Sequence, residues 1–221
     1  MTQEQFLSLL GRNPSNFRGP EHSDGDYAVI GGEGHNLKHP VEQATYYDAI
    51  EYANALSKLK GLRPAYEIIR DANGLPTGVR VTADSIYKTE GYRLPTEAEM
   101  EYATRAGTQT PYSFEGEQMD RNGWHKGNSG GRTHAVGMLR PNALGFYDLA
   151  GNVWRWMHDT WTTHLAVYQV NPQRAEPGAD HVVRGGSWYY GADLMRSAAR
   201  FHFAPGYRHS SIGFRLARSI H

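Results

Sequence analysis

The chain contains no cysteine in 221 residues. That excludes a disulfide framework, thiolate metal sites and any thiol nucleophile. It has no surplus of charge of either sign: 23 basic and 23 acidic side chains give a formal net charge of zero. Nucleic-acid binding normally shows as a basic excess, so nucleic acid is not the expected partner. No apolar run is long enough to span a bilayer. The start, MTQEQFLSLL, has neither the basic flank nor the small-residue cleavage site of a signal peptide, so a complete chain of this kind is expected in the cytoplasm. Isoleucine and valine are sparse, whereas glycine (25), tyrosine (14) and tryptophan (5) are plentiful. This composition suits a loop-rich fold pinned by aromatic side chains. The length suits one substantial domain, and no linker or tandem repeat divides it.

Local signals place several elements. Thr2 and Gln5 fit a capping box for a short helix closed near Gly11. Residues 18–40 are polar and glycine-rich and read as a surface loop. Ala44, Tyr47, Ala49, Ile50, Tyr52, Ala53 and Leu56 form a helical apolar stripe from Val41 to Gly61. Tyr66–Ile69 and Val79–Val81 flank Asn73-Gly74, a hairpin signal. Thr96 and Glu99 form a second capping box, with Ala98, Tyr102 and Ala103 expected inward and Gly107 at a left-handed C-cap. Residues 108–145 read as ordered loop. Trp154 and Trp156 alternate around Arg155, which places both indoles on one buried side and leaves Arg155 to find a carboxylate or a ring.

Other motifs carry little chemistry. GNSGGRTH (127–134) lacks the end of a phosphate loop, and GGEGH (31–35) lacks the strand-to-helix context of a dinucleotide site. His158, Asp159 and His164 are metal-ligand types, but the 158/164 spacing does not put two imidazoles on one helix face. No metal is assigned. No GxSxG nucleophile elbow is present.

The segment 185–215, GGSWYYGADLMRSAARFHFAPGYRHSSIGFR, has two textures. A rigid frame includes Trp188, Arg196, Arg200, Arg208, Phe214 and Arg215. Between its members stand Tyr189, Tyr190, Gly191, Ala192, Asp193, Phe201, His202, Phe203, Ala204, Gly206, Tyr207, His209, Ser210 and Ser211. Tyrosine, serine, glycine and histidine are the chemistry of an adaptable binding surface: rigid amphipathic rings for area, small polar groups for fit.

Three blocks, YRLPTEAEMEYATRAG (92–107), PNALGFYDLAGNVWRWMHD (141–159) and VVRGGSWYYGADLMRSAARFHFAPGYRHSSIGFRLAR (182–218), with HPVEQATYYDA (39–49), resemble the formylglycine-generating-enzyme (sulfatase-modifying factor) domain. The resemblance implies an α+β, loop-rich variant of the C-type-lectin fold over residues 1–221, without the strand that opens other members of the family. The family's oxidases use two copper-binding cysteines. The first position matches Tyr190 and the second has no counterpart, so the resemblance implies a chain without that chemistry and without a cofactor. The family's calcium site matches Asp148, Gly151 and Val153, but its glutamate position is Arg155, and a guanidinium cannot ligate a hard cation. Arg155 is expected to fill the place and pair with Asp148.

The last block also resembles the variable region of diversity-generating retroelement proteins, with 182–218 as the variable region. There, adenine mutagenesis of asparagine-type codons fixes a frame and varies the rest. Such codons cannot yield Lys, Glu, Gln, Met or Trp, and none stands at the intervening positions here. The resemblance implies a non-catalytic ligand-binding display protein. Its partner is expected to be a protein, with a sugar or small molecule as the alternatives. A fixed binding module of the same fold is the second reading. A third is an enzyme using His202 or His209 as acid–base groups.

Overall fold

A computed structural model describes residues 1–114, 118–163, 172 and 179–220. Helix α1 (Gln3–Leu10) starts at a closed capping box: Thr2 accepts from the Gln5 N–H, and Gln5 reaches back to the Thr2 N–H. Gly11 ends it at φ 69°. Helix α2 (Tyr46–Leu59) starts on a second box, Thr45 with Asp48. Val41 and Ala44, expected on that helix, precede it in a buried irregular segment that bends at Gln43 (φ 60°).

Residues 18–40 are not a loop. They hold strands β1 (Tyr27–Ile30) and β2 (Glu33–Asn36), paired antiparallel from Tyr27↔Asn36 to Ile30↔Glu33. Gly31 and Gly32 take φ 63° and 86° in the two-residue turn, the conformation such a tight hairpin requires. Tyr27, Val29 and Ile30 all stay exposed, so no period-two apolar pattern marks the strand in the sequence. Asp24 ties this region to the 130s: its carboxylate pairs with Arg132 at 2.7 Å and accepts from the Ala135 N–H at 2.9 Å.

The hairpin β3 (Tyr66–Arg70) and β4 (Pro76–Val81) forms as the sequence implies. Helix α3 (Glu97–Arg105) has the Thr96–Glu99 box. Two details differ. Tyr102 points outward at 75% exposure, because the buried stripe runs through Met100 and Thr104. The left-handed cap is Ala106 at φ 49°, one residue before Gly107. The described residues of the 108–145 region include a short helix α4 (Met119–Asn122) and the two-residue strand β5 (Gly123–Trp124), which pairs with β6 (Ala150–Gly151).

The centre is a four-stranded sheet in the order β10-β7-β8-β9, built from β7 (Trp154–Thr160), β8 (His181–Arg184), β9 (Arg200–Phe203) and β10 (Ile212–Gly213). β10 runs parallel to β7; the other pairs are antiparallel. All seven residues of β7 are buried, so both its faces are covered. Trp154 and Trp156 lie on one side, as alternation requires, and the Trp156 indole donates to the Ala44 carbonyl at 2.9 Å. Phe6, Tyr52 and Phe214 pack ring to ring, at 5.6, 6.1 and 5.5 Å, and join α1 and α2 to the chain just after β10. Among the described residues, no helix is long and apolar enough to cross a membrane.

Candidate functional site

The C-terminal segment crosses the sheet twice and surfaces between crossings. Residues 189–195 lead from Trp188 through a short 3-10 turn, Ala192–Met195. β9 forms the sheet edge, and residues 204–211 return the chain to β10. In β9, Phe201 lies opposite Val183 and Phe203 opposite His181. Strand alternation puts these two phenylalanines on the Trp154/Trp156 side and sends Arg200 and His202 to the other.

On the first side the rings close into a circuit. Tyr189 meets Tyr190 at 5.2 Å, Tyr190 meets Trp154 at 6.0 Å, and Trp154 meets Phe201 at 6.5 Å. Phe201 then meets Phe203 at 5.1 Å, Phe203 stacks on Tyr207 at 4.6 Å, and His209 closes the ring at 6.4 Å to Tyr207 and 5.9 Å to Tyr189. Trp154 is the buried floor. Tyr189, Phe201 and Tyr207 form the outer rim, at 52%, 44% and 41% exposure. Gly191, Asp193, Ala204 and Gly206 are exposed beside them; Tyr190, Ala192, Phe203, His209 and Ser210 are half-buried.

Two positions stand apart from this rim. His202 stacks on Trp161 at 4.4 Å and pairs with Asp180 at 2.6 Å on the other face. Ser211 is 2% exposed, its carbonyl accepting from the Trp154 N–H at 2.7 Å and its hydroxyl bonded to His209 at 2.7 Å. It is a buried joint before β10, not a surface position.

The frame holds this segment by its main chain. The Trp188 indole donates to the Ser210 carbonyl at 2.9 Å, and the Gln43 N–H donates to the His209 carbonyl at 3.1 Å. The Lys126 N–H holds the Tyr190 carbonyl at 3.0 Å, the Tyr112 hydroxyl the Ala192 carbonyl at 3.3 Å, and the Tyr46 N–H the Pro205 carbonyl at 3.1 Å. A carbonyl is present whatever the side chain, so these bonds do not depend on what residue stands there.

The arginines divide by environment. Arg196 and Arg208 are exposed, not buried; they donate to the Asp193 and Gln43 carbonyls at 2.9 Å each. Arg208 also pairs with Asp48 at 3.0 Å. Arg200 makes a bidentate pair with Glu97 and lies 4.5 Å over the Trp161 ring. Sequence reasoning passed over Arg184, which is 1% exposed and joins Glu101 to the Ala199 carbonyl. Its partner lies far away in sequence, so no local pattern signals it.

The residues present do not fit the metals of related domains. Arg155 donates to the carbonyls of Asp148, Gly151 (2.7 Å) and Leu149 (3.3 Å), occupying the oxygens a calcium ion would need. It pairs with the Asp148 main chain, not its carboxylate, which accepts from the Gly137 N–H at 2.8 Å. Gly185, at φ 96°, passes against this guanidinium, where a Cβ would collide with Nη1. Without cysteine, no thiolate copper site can be assembled in the chain. His158 bonds Tyr66 at 3.4 Å, and burial pushes its pKa down to about 3; Asp159 accepts from the Glu97 N–H at 2.6 Å. No cluster of three metal-ligating side chains forms among the described residues, and His164 lies outside them.

A short-stranded central sheet, long ordered loops and a C-terminal segment surfacing between two strands define an α+β protein of C-type-lectin type. The sulfatase-modifying factor enzyme 1-like domain model matches residues 2–220, and the chain belongs to that family. Variable protein 1 of Treponema denticola has a similar structure, with a TM-score of 0.82 and 33% identity over 100% of this chain and 82% of that one. The chaperone protein LppX of Paenibacillus barcinonensis is 31% identical over 212 residues, 85% of this chain and 66% of its own length. The formylglycine-generating enzyme of Mus musculus is 36% identical over 145 residues, 58% of this chain. The chain spans 39% of that enzyme's length.

Proposed function

We propose that this chain is a non-catalytic ligand-binding protein that displays the 189–210 face, and that residues 182–218 are a diversified region. The observation that carries the reading is the separation of frame from face. Donors from Trp188, Gln43, Tyr46, Tyr112 and Lys126 grip main-chain carbonyls, while the rim side chains project outward. Side chains held this way can change without loss of the frame.

The similarity to a protein described as variable supports the reading. The rim suits a protein partner: Tyr189, Phe201 and Tyr207 are rigid amphipathic anchors of the kind that dominate protein interfaces, interspersed with small residues that let a partner approach. Similarity to a chaperone points to the same partner class.

The test is to sequence the DNA flanking the gene. A reverse transcriptase and a near-identical repeat of codons 182–218, differing only at template adenines, are expected. A neighbourhood with neither would sink the diversified reading and leave a fixed binding module.

A further inference from the structure

A second site lies away from the aromatic face. A cavity of about 630 Å³ opens beside residues 136–148 and 214–218, and none of its lining residues belongs to 189–211. That volume is within the range of small-molecule sites. Leu56, Val136, Phe146 and Phe214 give it apolar walls, and Arg155 and Arg215 bring guanidinium groups to it. Asp148 is the one acidic residue in the lining, and its carboxylate is engaged by the Gly137 N–H. Among the described residues, no carboxylate oxygen lies within 4.0 Å of either guanidinium.

Charges taken out of water are normally paired, because desolvation costs several kcal/mol per ion. Here Arg155, Arg215, Arg218 and the Met1 amino group line one cavity with a single carboxylate, Asp148, which forms no ion pair with them among the described residues. Arg155 is already committed to three carbonyls. Arg215 is not: it makes one long hydrogen bond, 3.4 Å to the Tyr147 carbonyl, and lies 5.8 Å from the Phe146 ring centre. Burial lowers the pKa of both, and the nearby Asp148 carboxylate offsets this only in part.

We propose that this cavity binds an organic carboxylate with an apolar body, its carboxylate on Arg215 and its body against Leu56, Val136 and Phe146. A guanidinium fork matches a carboxylate in a bidentate pair, and apolar walls favour a ligand with more than a head group.

The probe is 4-phenylbutyrate, titrated into the full chain and followed by amide NMR. Shifts are expected at Val136, Gly137, Phe146, Tyr147 and Arg215. Its uncharged amide and inorganic phosphate should each bind at least about tenfold more weakly, and Arg215→Met should lose about as much. Thermal melts establish that each variant is folded. Should Arg215→Met fail to fold, Val136→Trp carries the test, since it adds bulk to the lining and leaves both arginines in place. Equal binding of the amide, equal binding of phosphate, shifts confined to 189–211, or unchanged binding by folded Val136→Trp would each overturn the proposal. So would an absence of shifts up to about 10 mM, a concentration that would populate even a very weak site.

Discussion

Glu42 supports the binding face from beneath and makes its stability depend on pH. Its side chain is fully buried, Oε1 accepts from the Phe17 N–H at 2.9 Å, and the Asn16 N–H also faces the carboxylate. Phe17 packs edge-on against Trp188, and the next residue, Gln43, holds the His209 carbonyl. Burial raises the Glu42 pKa from 4.5 to about 8. A carboxyl whose folded pKa lies above its unfolded value stabilises fully below the unfolded value and loses that contribution as pH rises toward the folded one. Stability should therefore fall between pH 4.5 and 8 by about 1.4 kcal/mol per pH unit from this residue alone, or roughly 3 kcal/mol by pH 7. His158 and His181 act with the opposite sign. Burial depresses them from 6.5 to about 3 and about 4, so their contribution is present above 6.5 and is lost on acidification. Glu42 and the two histidines together peak near pH 6.5, and the buried Met1 amino group, depressed from 8.0 to about 5, offsets the Glu42 loss from there to pH 8 in the native chain. Glu42→Gln keeps the shape and the acceptor for Phe17 and removes the charge. At pH 7 it should raise the melting temperature by about 6–12 °C, taking roughly 2–4 °C per kcal/mol for a chain of this size. The difference should vanish near pH 4.5. Calorimetry of both proteins from pH 4.5 to 8 reads it directly. Equal melting temperatures at pH 8 would refute the reasoning, as would a difference that grows toward acid.

The rim and the frame should separate under mutation. Replacing Tyr189, Phe201 and Tyr207 together by serine removes side chains that are only about half-buried, and should cost roughly 1–3 kcal/mol in denaturant unfolding while abolishing ligand binding. Phe214→Ala, at a 2% exposed site, should alone cost about 3–5 kcal/mol. Arg155→Met leaves the carbonyls of Asp148, Leu149 and Gly151 without their donor and should cost about 3 kcal/mol. Arg155→Glu should be comparably destabilised without calcium and recover in thermal melts when calcium is added; no response to calcium would show that the loop is not a cation cage.

What was legible in the sequence was local. Capping boxes at Thr2 and Thr96 need only residues three apart, and both form. The 66–81 hairpin and the paired indoles of β7 are likewise short-range patterns. Most of the intervening C-terminal positions reach the surface because frame and filler alternate within one segment. The misses are long-range. The β1–β2 hairpin exposes its apolar residues and is held by Asp24 reaching Arg132, over a hundred residues on. Ser211 looks like any other small polar residue, yet its carbonyl belongs to the Trp154 N–H. His202 shares a strand with two rim phenylalanines, and strand alternation turns it away. The cavity beside Arg215 is assembled from at least five separated stretches, and no single stretch announces it.

The aromatic circuit also sets how far the face can vary. Rim positions such as Tyr189 and Tyr207 contact mainly other intervening residues, so replacing them disturbs little beyond the face. Tyr190 and Phe203 differ, because they touch Trp154 and Trp156, the floor of the circuit and the centre of the core. A polar residue at either place would put an unpaired group against buried indoles, at a cost of about 1–3 kcal/mol. Variation should therefore be graded: free at Tyr189, Gly191, Asp193, Ala204, Gly206 and Tyr207, restricted to aromatic or aliphatic residues at Tyr190 and Phe203, and small and polar at Ser211. A library randomised at all these positions and sorted for folded clones should reproduce that order. Equal tolerance at Tyr190 and Tyr189 would mean that the circuit does not couple the face to the core.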